Sequence, residues 1–239
     1  MLKSIIKKQL LKLNKNIHLD RSSDLNYNVI NIDVESKYSC KIVDSKCNLT
    51  TIQEGCYISE SRIYGDVSLG RFASITGPGT IVKSLKEKIS IGSFTSIGQN
   101  VCIVDFNHNF NRISSNFIHY NIFKENFHSD IVTNGPTIIE EDVWIGSNSI
   151  ILPGIIIGRG SIIGAGTIVN IDIPAYSIVV GNPAKVIKKR FTEDQIALLE
   201  KLKWWEWDIE KILKNKLFFN IDISKSISQE LLQIEENIK

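Results

Sequence analysis

Aliphatic residues recur at every sixth position over long stretches of this chain, and that period constrains the fold more than any other feature. A period of six fits neither the 3.6-residue turn of an α-helix nor the two-residue alternation of a long strand. It favours short strands that each point the same positions inward, with a bend after each strand. The anchors after residue 136 are Ile139, Ile145, Ile151, Ile157, Ile163, Val169 and Ala175.

A second inward position follows each anchor after four residues, and the same period is found before residue 104. The second set comprises Val143, Ser149, Ile155, Ser161, Thr167, Ile173 and Val179. The earlier anchors are Ile52, Ile58, Ile63, Leu69, Ile75, Ile81, Ile91, Ile97 and Ile103, with one residue missing before Ile63 and a small extra turn over 84–88. Three such strands would form a triangular coil of about 18 residues, and stacked coils would bury a continuous aliphatic ladder. We therefore predict an all-β solenoid rather than an ordinary isoleucine-rich β domain.

The run VWIGSNSIILPGIIIGRGSIIGAGTIVNIDIPAYSIVVGNPAKVI, residues 143–187, resembles the hexapeptide-repeat acyltransferases. The resemblance extends from about residue 52 to residue 208. It implies a left-handed parallel β-helix, which departs from the usual right-handed crossover. It also implies a homotrimer, and a prism with three flat walls suits closed threefold packing.

Three segments are expected along the chain. Residues 1–27 hold a basic amphipathic helix and a linker, with apolar residues on one helix face and lysines mostly opposite. That helix either docks on protein or rests on an anionic membrane surface. Residues 28–190 are predicted to form the β-helix, with an extruded catalytic loop over 105–136. Residues 191–239 are predicted to form a C-terminal helical segment.

The C-terminal segment begins with a helix-start signal. Thr192 would cap the helix, and Glu193 and Asp194 would be favoured by the helix dipole in its first turn. The run KWWEWDIEKI, residues 203–212, resembles the C-terminal helix of the xenobiotic-acetyltransferase-like branch of the family. Its tryptophans are expected to pack rather than to contact a ligand. Residues 220–239 are predicted to form a further short helix.

The six-residue period breaks between residues 105 and 136, and long ordered excursions from a rigid scaffold are usually functional. The run HNFNRISS places Ser114 and Ser115 six and seven residues after His108. It resembles the motif of xenobiotic-acetyltransferase-like enzymes, in which a catalytic histidine precedes a Ser-Thr pair at this interval. The resemblance implies that His108 is the general base and that Asn107, Ser114 and Ser115 bind the acceptor.

The resemblance implies a direct transfer. His108 would take a proton from an acceptor hydroxyl, the oxygen would attack the thioester of acetyl-CoA, and the histidinium would protonate the departing thiolate. An imidazole titrates near neutrality, so it suits both steps. Either Asp105 or a backbone carbonyl would orient the ring. Asn116 and Phe117 depart from the family pattern after the serine pair, and His119 and His128 are loop residues that could line the acceptor pocket.

Coenzyme A, as part of the co-substrate acetyl-CoA, is expected along the stacked coils. Its pantetheine arm needs small residues for close approach, and the residues for this are Gly146, Gly164, Ala165 and Gly166. By resemblance, Trp144 lies near the pantetheine and the reaction centre, where it would also contact the acceptor, although it could equally be an outward packing residue. Pro183 and Ala184 would face the adenine, and Lys185, Lys188 and Arg190 would meet the phosphates, with Lys185 favoured over the other two. No metal is expected.

Composition limits the other partners. The formal net charge of +2 does not indicate nucleic-acid binding, and no apolar run reaches the length of a membrane span. The four cysteines form no CxxC pair, which fits buried thiols in the cytoplasm. We expect a cytoplasmic enzyme, with the basic N-terminal helix suited to the cytoplasmic face of the membrane.

Several acceptors remain open. The first is a sugar hydroxyl of a surface polysaccharide or its precursor. The others are chloramphenicol or a streptogramin, and the amino group of a nucleotide-linked sugar. A metalloprotein similar to the γ-class carbonic anhydrases would need histidines on neighbouring coils, whereas three of the four histidines lie in one loop.

Overall fold

The computed structural model describes residues 17–20, 22–25, 37–48 and 50–223. The basic amphipathic helix predicted at the start of residues 1–27 and the tail after residue 223 lie outside the described residues. Most of the strands have two to four residues. They are β1 (Ile17–Leu19), β2 (Asp24–Leu25), β3 (Cys40–Val43), β4 (Lys46–Asn48), β5 (Thr51–Ile52), β6 (Tyr57–Tyr64), β7 (Val67–Leu69), β8 (Ser74–Lys83), β9 (Ile89–Ile91), β10 (Ser96–Ile97), β11 (Cys102–Val104), β12 (Asn107–His108), β13 (Ile131–Val132), β14 (Thr137–Ile139), β15 (Trp144–Ile145), β16 (Ile150–Ile151), β17 (Ile156–Ile157), β18 (Ile162–Ile163), β19 (Ile168–Val169), β20 (Ser177–Val180) and β21 (Lys185–Lys189).

The helices are few and short, and most of them follow the last strand. They are α1 (Ile118–Asn121), α2 (Glu193–Leu202), α3 (Ile209–Lys214) and three 3-10 turns over Phe127–Asp130, Trp204–Glu206 and Phe218–Asn220. Among the described residues, no helix combines the length and the apolar character that crossing a membrane requires.

The strands form three walls of parallel strands around one core. The first wall has the order β1-β3-β6-β8-β10-β15-β18-β20, and the second has the order β2-β4-β6-β8-β11-β16-β19. The third wall contains β5, β7, β9, β14 and β17. Strands β6 and β8 turn the corner between the first two walls and belong to both. The predicted all-β solenoid is confirmed.

The register of these walls reproduces the sequence period. Ile145 pairs with Ile163, and Ile151 pairs with Val169, so equivalent residues of successive coils lie directly above one another. All four side chains are fully buried. Burial of each is worth ~1.5–3 kcal/mol, so the aliphatic ladder is the main stabilising feature of the coils.

Two predicted anchors are wrong, and both errors have a local cause. Ile81 is half-buried and Val82 is inside instead. Ser59 pairs with Thr76 whereas Ser61 pairs with Thr80, so β8 carries two extra residues at its bend and the inward position shifts.

Ala175 is also half-buried, because the last coil is two residues shorter than the eighteen-residue coil before it. Ile173 pairs with Ile157, and Val179 pairs with Ile163 sixteen positions earlier rather than eighteen. Ile173 therefore occupies the inward position that the period assigns to Ala175.

The three edges of the prism carry different structures. At the first edge, which we call the glycine edge, the corners are residues 98–100, 146–148 and 164–166. The second edge, the loop edge, carries the excursion of residues 105–136 between β11 and β14. The third edge, the helix edge, includes residues 140–142, 158–160 and 174–176, and the C-terminal helices pack against it.

The C-terminal segment is fixed to the helix edge by cations and aromatic rings. The Arg71 guanidinium donates to the carbonyl oxygens of Trp205, at 2.7 Å, and Trp207. The Arg159 guanidinium lies 4.9 Å from the ring centroid of Trp205. Trp205 and Trp207 are buried, which confirms that they pack. The predicted cap is also confirmed, because the Thr192 hydroxyl accepts from the N–H of Gln195 in a reciprocal capping box.

The solenoid also includes strands that precede residue 28. Ile17 of β1 pairs with Cys40, and Asp24 of β2 pairs with Lys46. The predicted N-terminal segment of residues 1–27 therefore contributes two strands to the walls of the solenoid.

Candidate active site

The excursion at the loop edge starts as a two-stranded ribbon. Strand β12 pairs antiparallel with β13, so that His108 lies opposite Ile131. The N–H of Asn109 donates to the carbonyl oxygen of Asp130 at 2.9 Å and extends the ribbon by one residue. The ribbon projects His108 away from the coils, and its side chain is exposed. Asn107, the neighbouring predicted acceptor residue, is exposed as well.

The imidazole of His108 is held by the segment that contains the serine pair. Its Nδ1 lies 2.7 Å from the carbonyl oxygen of Ser115. A carbonyl can only accept, so Nδ1 carries the proton and Nε2 keeps its lone pair. The ring also meets the Phe117 ring edge-on, with centroids 4.6 Å apart. Two contacts therefore set the tautomer and the ring plane of the predicted general base.

Ser114 has a local role in the same segment. Its Oγ accepts the N–H of Asn116 at 3.1 Å, which tightens the turn that presents the Ser115 carbonyl. Ser115 holds His108 through its backbone, and its side chain is exposed.

Asp105 does not orient the imidazole. It is fully buried at the base of the loop, and its carboxylate accepts the N–H groups of Leu85, Lys86 and Glu87 at 2.9, 2.7 and 2.6 Å. These are residues of the predicted small extra turn, which lies between β8 and β9 as expected. Of the two groups that could orient the His108 ring, the backbone carbonyl of Ser115 does so in the structure, and Asp105 does not.

Asp130 ties the far side of the loop together, and sequence reasoning missed it. Its side chain is buried, and its two oxygens accept the N–H groups of His119 and Tyr120 at 3.3 and 2.9 Å. These contacts fix α1 against the His108 ribbon. The sequence does show an aspartate in an aromatic-rich stretch. A charge buried among such residues requires hydrogen-bond partners, and this could have indicated a structural role for Asp130.

A hollow of about 490 Å³ lies next to the His108 segment. Its lining includes Arg112, Ile113, Ser114, Asn116, His119 and Phe123. Ser114 and Asn116 flank the residue whose carbonyl holds His108. The turn over 114–116 therefore contacts both the hollow and the imidazole, while His108 itself does not line the hollow. His119 lines this hollow, whereas His128 does not, and His119 is paired with Glu125 through a 2.7 Å contact from its Nδ1.

The predicted donor-binding residues lie elsewhere, on the first wall and the glycine edge. Trp144 is 56% exposed on the outer face of β15. Gly164, Ala165 and Gly166 form the corner above Gly146. A Cβ on Gly146 would come within 2.6 Å of the Ala165 nitrogen, so coil stacking by itself requires a glycine there. At Gly166, which has φ of +72°, a Cβ would meet nothing within 4 Å, so this corner is open.

The segment after the last coil is only partly available to a ligand. Pro183 is exposed, but Ala184, which was predicted to face the adenine, is buried in the core. Lys185 and Lys188 are exposed on β21, which runs antiparallel to β20 and closes the solenoid. The Arg190 guanidinium lies 3.3 Å from a carboxylate oxygen of Asp142 and donates to the Gly160 carbonyl. Burial raises the pKa of Asp142, and Arg190 partly opposes that shift.

Apart from the residues after the last coil, the structure thus brings the predicted site residues together in two groups. Asn107, His108, Ser114 and Ser115 share the loop edge, while the predicted donor residues Trp144, Gly146, Gly164, Ala165 and Gly166 lie on the first wall and the glycine edge. The second wall separates these two edges in one copy of the chain.

Comparison with known proteins gives a consistent family. A model of the bacterial transferase hexapeptide (six repeats) family matches residues 136–170. A chloramphenicol acetyltransferase from Klebsiella aerogenes is 35% identical over 184 residues, which cover 74% of this chain and 86% of that protein. A probable macrolide acetyltransferase from Lysinibacillus sphaericus is 41% identical over 137 residues, covering 54% and 75%.

A solved structure shares the fold. A point mutant of AntD, an N-acyltransferase from Bacillus cereus in complex with dTDP and coenzyme A, superposes with a TM-score of 0.53 at 21% identity, over 83% of this chain and 96% of that one. The chain belongs to the hexapeptide-repeat acetyltransferases. It is therefore an enzyme that transfers an acetyl group, and its solenoid is the left-handed parallel β-helix of that family.

Proposed function

We propose that this enzyme transfers the acetyl group of acetyl-CoA to a hydroxyl of a saccharide, a surface polysaccharide or its precursor, with His108 as general base. The observation that carries the proposal is the 2.7 Å contact between His108 Nδ1 and the Ser115 carbonyl. It leaves Nε2 as a free proton acceptor on an exposed loop. A hydroxyl needs such a base, whereas an amine that arrives neutral needs it less, so the contact favours O-acetylation over N-acetylation.

The acetyl group passes directly from the thioester to the acceptor, and no residue of the enzyme becomes acylated. His108 Nε2 takes the hydroxyl proton as the oxygen bonds to the thioester carbonyl carbon. The tetrahedral intermediate then collapses, the C–S bond breaks, and the histidinium returns the proton to the thiolate. The products are the acetyl ester and free coenzyme A. General base catalysis of this kind contributes ~10²–10⁴-fold to the rate.

A neighbouring copy completes the site in this proposal. The His108 imidazole projects from the loop edge, whereas the open corner at Gly166 lies on the glycine edge. The fold separates these edges within one chain, so a thioester bound at the glycine edge would meet the loop of an adjacent copy. A closed homotrimer satisfies this requirement, with three equivalent sites between copies.

The hollow beside His108 suits a sugar. Arg112, Ser114 and Asn116 offer polar groups, while Ile113 and Phe123 offer apolar surface. A pyranose ring has the same dual character, with hydroxyls at its rim and C–H groups on its faces. Binding pockets commonly combine apolar walls with a few polar groups that fix orientation.

A xenobiotic acceptor is the second candidate, and the names of the relatives favour it. Chloramphenicol and macrolides carry hydroxyl groups, so the same His108 chemistry would serve. The test is to supply acetyl-CoA with saccharides, nucleotide sugars, chloramphenicol and a macrolide, and to follow thiol release. Rapid turnover of a drug together with none of any saccharide would replace the first candidate by the second.

The shared site has its own test. His108→Ala and Ala165→Trp, which would obstruct the exposed glycine edge, should each be inactive alone. Co-expression of the two variants should restore part of the activity, because mixed assemblies contain some sites with both an intact loop and an intact edge. If no mixture regained activity although mixed assemblies formed, the site would lie within one chain.

A further inference from the structure

The acetyl acceptor is not identified by the family, but the hollow in the loop contains a cation that the catalytic step does not use. We propose that Arg112 binds a carboxylate on the acceptor, so that the substrate is an acidic saccharide, such as one that contains a uronic acid. This inference rests on the proposed saccharide O-acetylation and names the class of saccharide.

Arg112 lies in the hollow that we propose for the acceptor. It lines the hollow together with Ser114 and Asn116, the two neighbours of the residue that holds the His108 ring. The side chain of Arg112 is 39% exposed. A sugar unit in the hollow would therefore be within reach of the guanidinium while the same or an adjoining unit approached His108.

The donors of Arg112 are not used by its nearest carboxylate. Its Nη1 lies 3.8 Å from Asp130 Oδ1, which is beyond hydrogen-bond distance. Asp130 already accepts two backbone N–H groups. No hydrogen bond from the Arg112 guanidinium is present among the described residues. Asp130 thus attracts the Arg112 guanidinium electrostatically, and the N–H donors of Arg112 remain available to another acceptor.

The chemistry of the guanidinium selects the ligand. Its planar fork matches a carboxylate through two parallel hydrogen bonds, which a neutral hydroxymethyl group cannot reproduce. Asp130 is the carboxylate that lines the hollow, whereas Glu125 contacts His119 Nδ1 at 2.7 Å and does not line it. Ile113 and Phe123 remain as apolar walls for the ring.

Matched acceptors test the proposal. Acidic oligosaccharides and their carboxyl-reduced forms differ only in –COO⁻ against –CH₂OH, and turnover of both is measured with acetyl-CoA. The wild-type enzyme should prefer the acidic member of at least one pair. Arg112→Ala should lower kcat/KM for that acidic member by roughly 10- to 100-fold, and for the reduced member by less than about threefold. Arg112→Lys should recover part of the loss, because it keeps the charge without the fork.

A second cation of the loop is the control. Lys124 is exposed, does not line the hollow, and donates from Nζ to the Asn121 carbonyl at 2.6 Å. Lys124→Gln should leave the preference for acidic acceptors unchanged. Thermal unfolding of each variant separates loss of folding from loss of recognition.

The outcomes separate the two proposals. If Arg112→Ala lowered turnover of the acidic and the reduced acceptor equally, Arg112 would have a structural role. The carboxylate proposal would then be wrong, while the proposed saccharide acetylation would be unaffected. If the wild-type enzyme acetylated only neutral saccharides, the carboxylate proposal would be overturned on its own. If no saccharide were acetylated, both proposals would fail.

Discussion

His108 and Ser115 are joined by a 2.7 Å hydrogen bond from the imidazole Nδ1 to the backbone carbonyl oxygen, and this bond decides which nitrogen of the ring can act as a base. The carbonyl belongs to the turn that follows the basic side chain of Arg112 in the chain. The proposed catalytic ring and the hollow proposed for the acceptor are therefore both shaped by one short segment.

Replacement of His108 tests the assigned base. His108→Asn should lower kcat by ~10²–10⁴-fold, because an amide can donate to the Ser115 carbonyl but cannot take the hydroxyl proton. The rate is measured as thiol release at saturating acetyl-CoA. His128→Asn is the control, since this exposed histidine of the same loop lies outside the hollow. Near-normal turnover by His108→Asn would remove the imidazole from the mechanism.

Phe117 should act through the His108 ring. The two rings meet edge to face at 4.6 Å, so Phe117→Ala would leave the imidazole held by one contact instead of two. We expect kcat to fall by roughly five- to tenfold, since such ring pairs are worth ~0.5–1.5 kcal/mol, while KM for acetyl-CoA stays unchanged. Phe117→Tyr keeps the ring and should retain most of the rate. A change in KM alone would place Phe117 in donor binding instead.

Asp105 should contribute to stability rather than to chemistry. It is fully buried and accepts three backbone N–H groups, and Asp105→Asn replaces one acceptor oxygen by a donor. The free energy of unfolding should drop by ~1–3 kcal/mol, the cost of a buried polar group left unsatisfied. The measurement is chemical denaturation at fixed protein concentration. An unaltered unfolding midpoint together with a large loss of turnover would return Asp105 to a role beside the imidazole.

Two adjacent isoleucines provide a matched test of the aliphatic ladder. Ile151 is fully buried, whereas Ile150 is 37% exposed on the outer face of the same strand. Ile151→Ala should destabilise the fold by ~2–5 kcal/mol, and Ile150→Ala by less than about 1 kcal/mol. Both are measured by denaturant unfolding of the assembled protein. Equal losses would show that the ladder is not the dominant source of stability.

The buried thiol of Cys47 predicts a loss of stability at alkaline pH. Burial raises the pKa of this thiol to about 12 from an ordinary value of 9.0. Between these two values the unfolded chain binds fewer protons than the native one, so the free energy of unfolding falls as pH rises, by up to ~1.4 kcal/mol per pH unit.

The matched variant for that prediction is Cys47→Ser, which has a similar shape and does not titrate in this range. The stability of the wild type minus that of the variant should therefore decrease above pH 9 and stay flat below it. A difference that remains constant up to pH 12 would show that the thiol ionises equally in both states.

The coils were predictable from sequence because each one repeats the same steric requirement. Burial of Ile145, Ile151, Ile157 and Ile163 follows directly from the period of six. The two misplaced anchors, Ile81 and Ala175, lie where a local change of coil length moves the register by one or two residues. A period alone carries no signal for such a change.

The loop was predictable only in part. The break in the period marks its bounds, and a short motif marks His108. The contacts that hold His108 come from a backbone carbonyl and from Phe117, and backbone acceptors leave no trace in a sequence. Asp130 and Arg112 meet through a chain reversal between residues 113 and 129, so their proximity depends on tertiary structure.

The placement of the excursion between β11 and β14 has a consequence for how acceptor choice can change. Both of these strands keep their parallel partners: β11 pairs with β8 and β16, and β14 pairs with β9 and β17. The strand pairing therefore does not depend on residues 106–136, whereas Asp105 at the base of the loop holds the turn over 85–87. Under the proposed mechanism, changes within residues 106–136 are expected to alter the choice of acceptor while the paired coils stay intact.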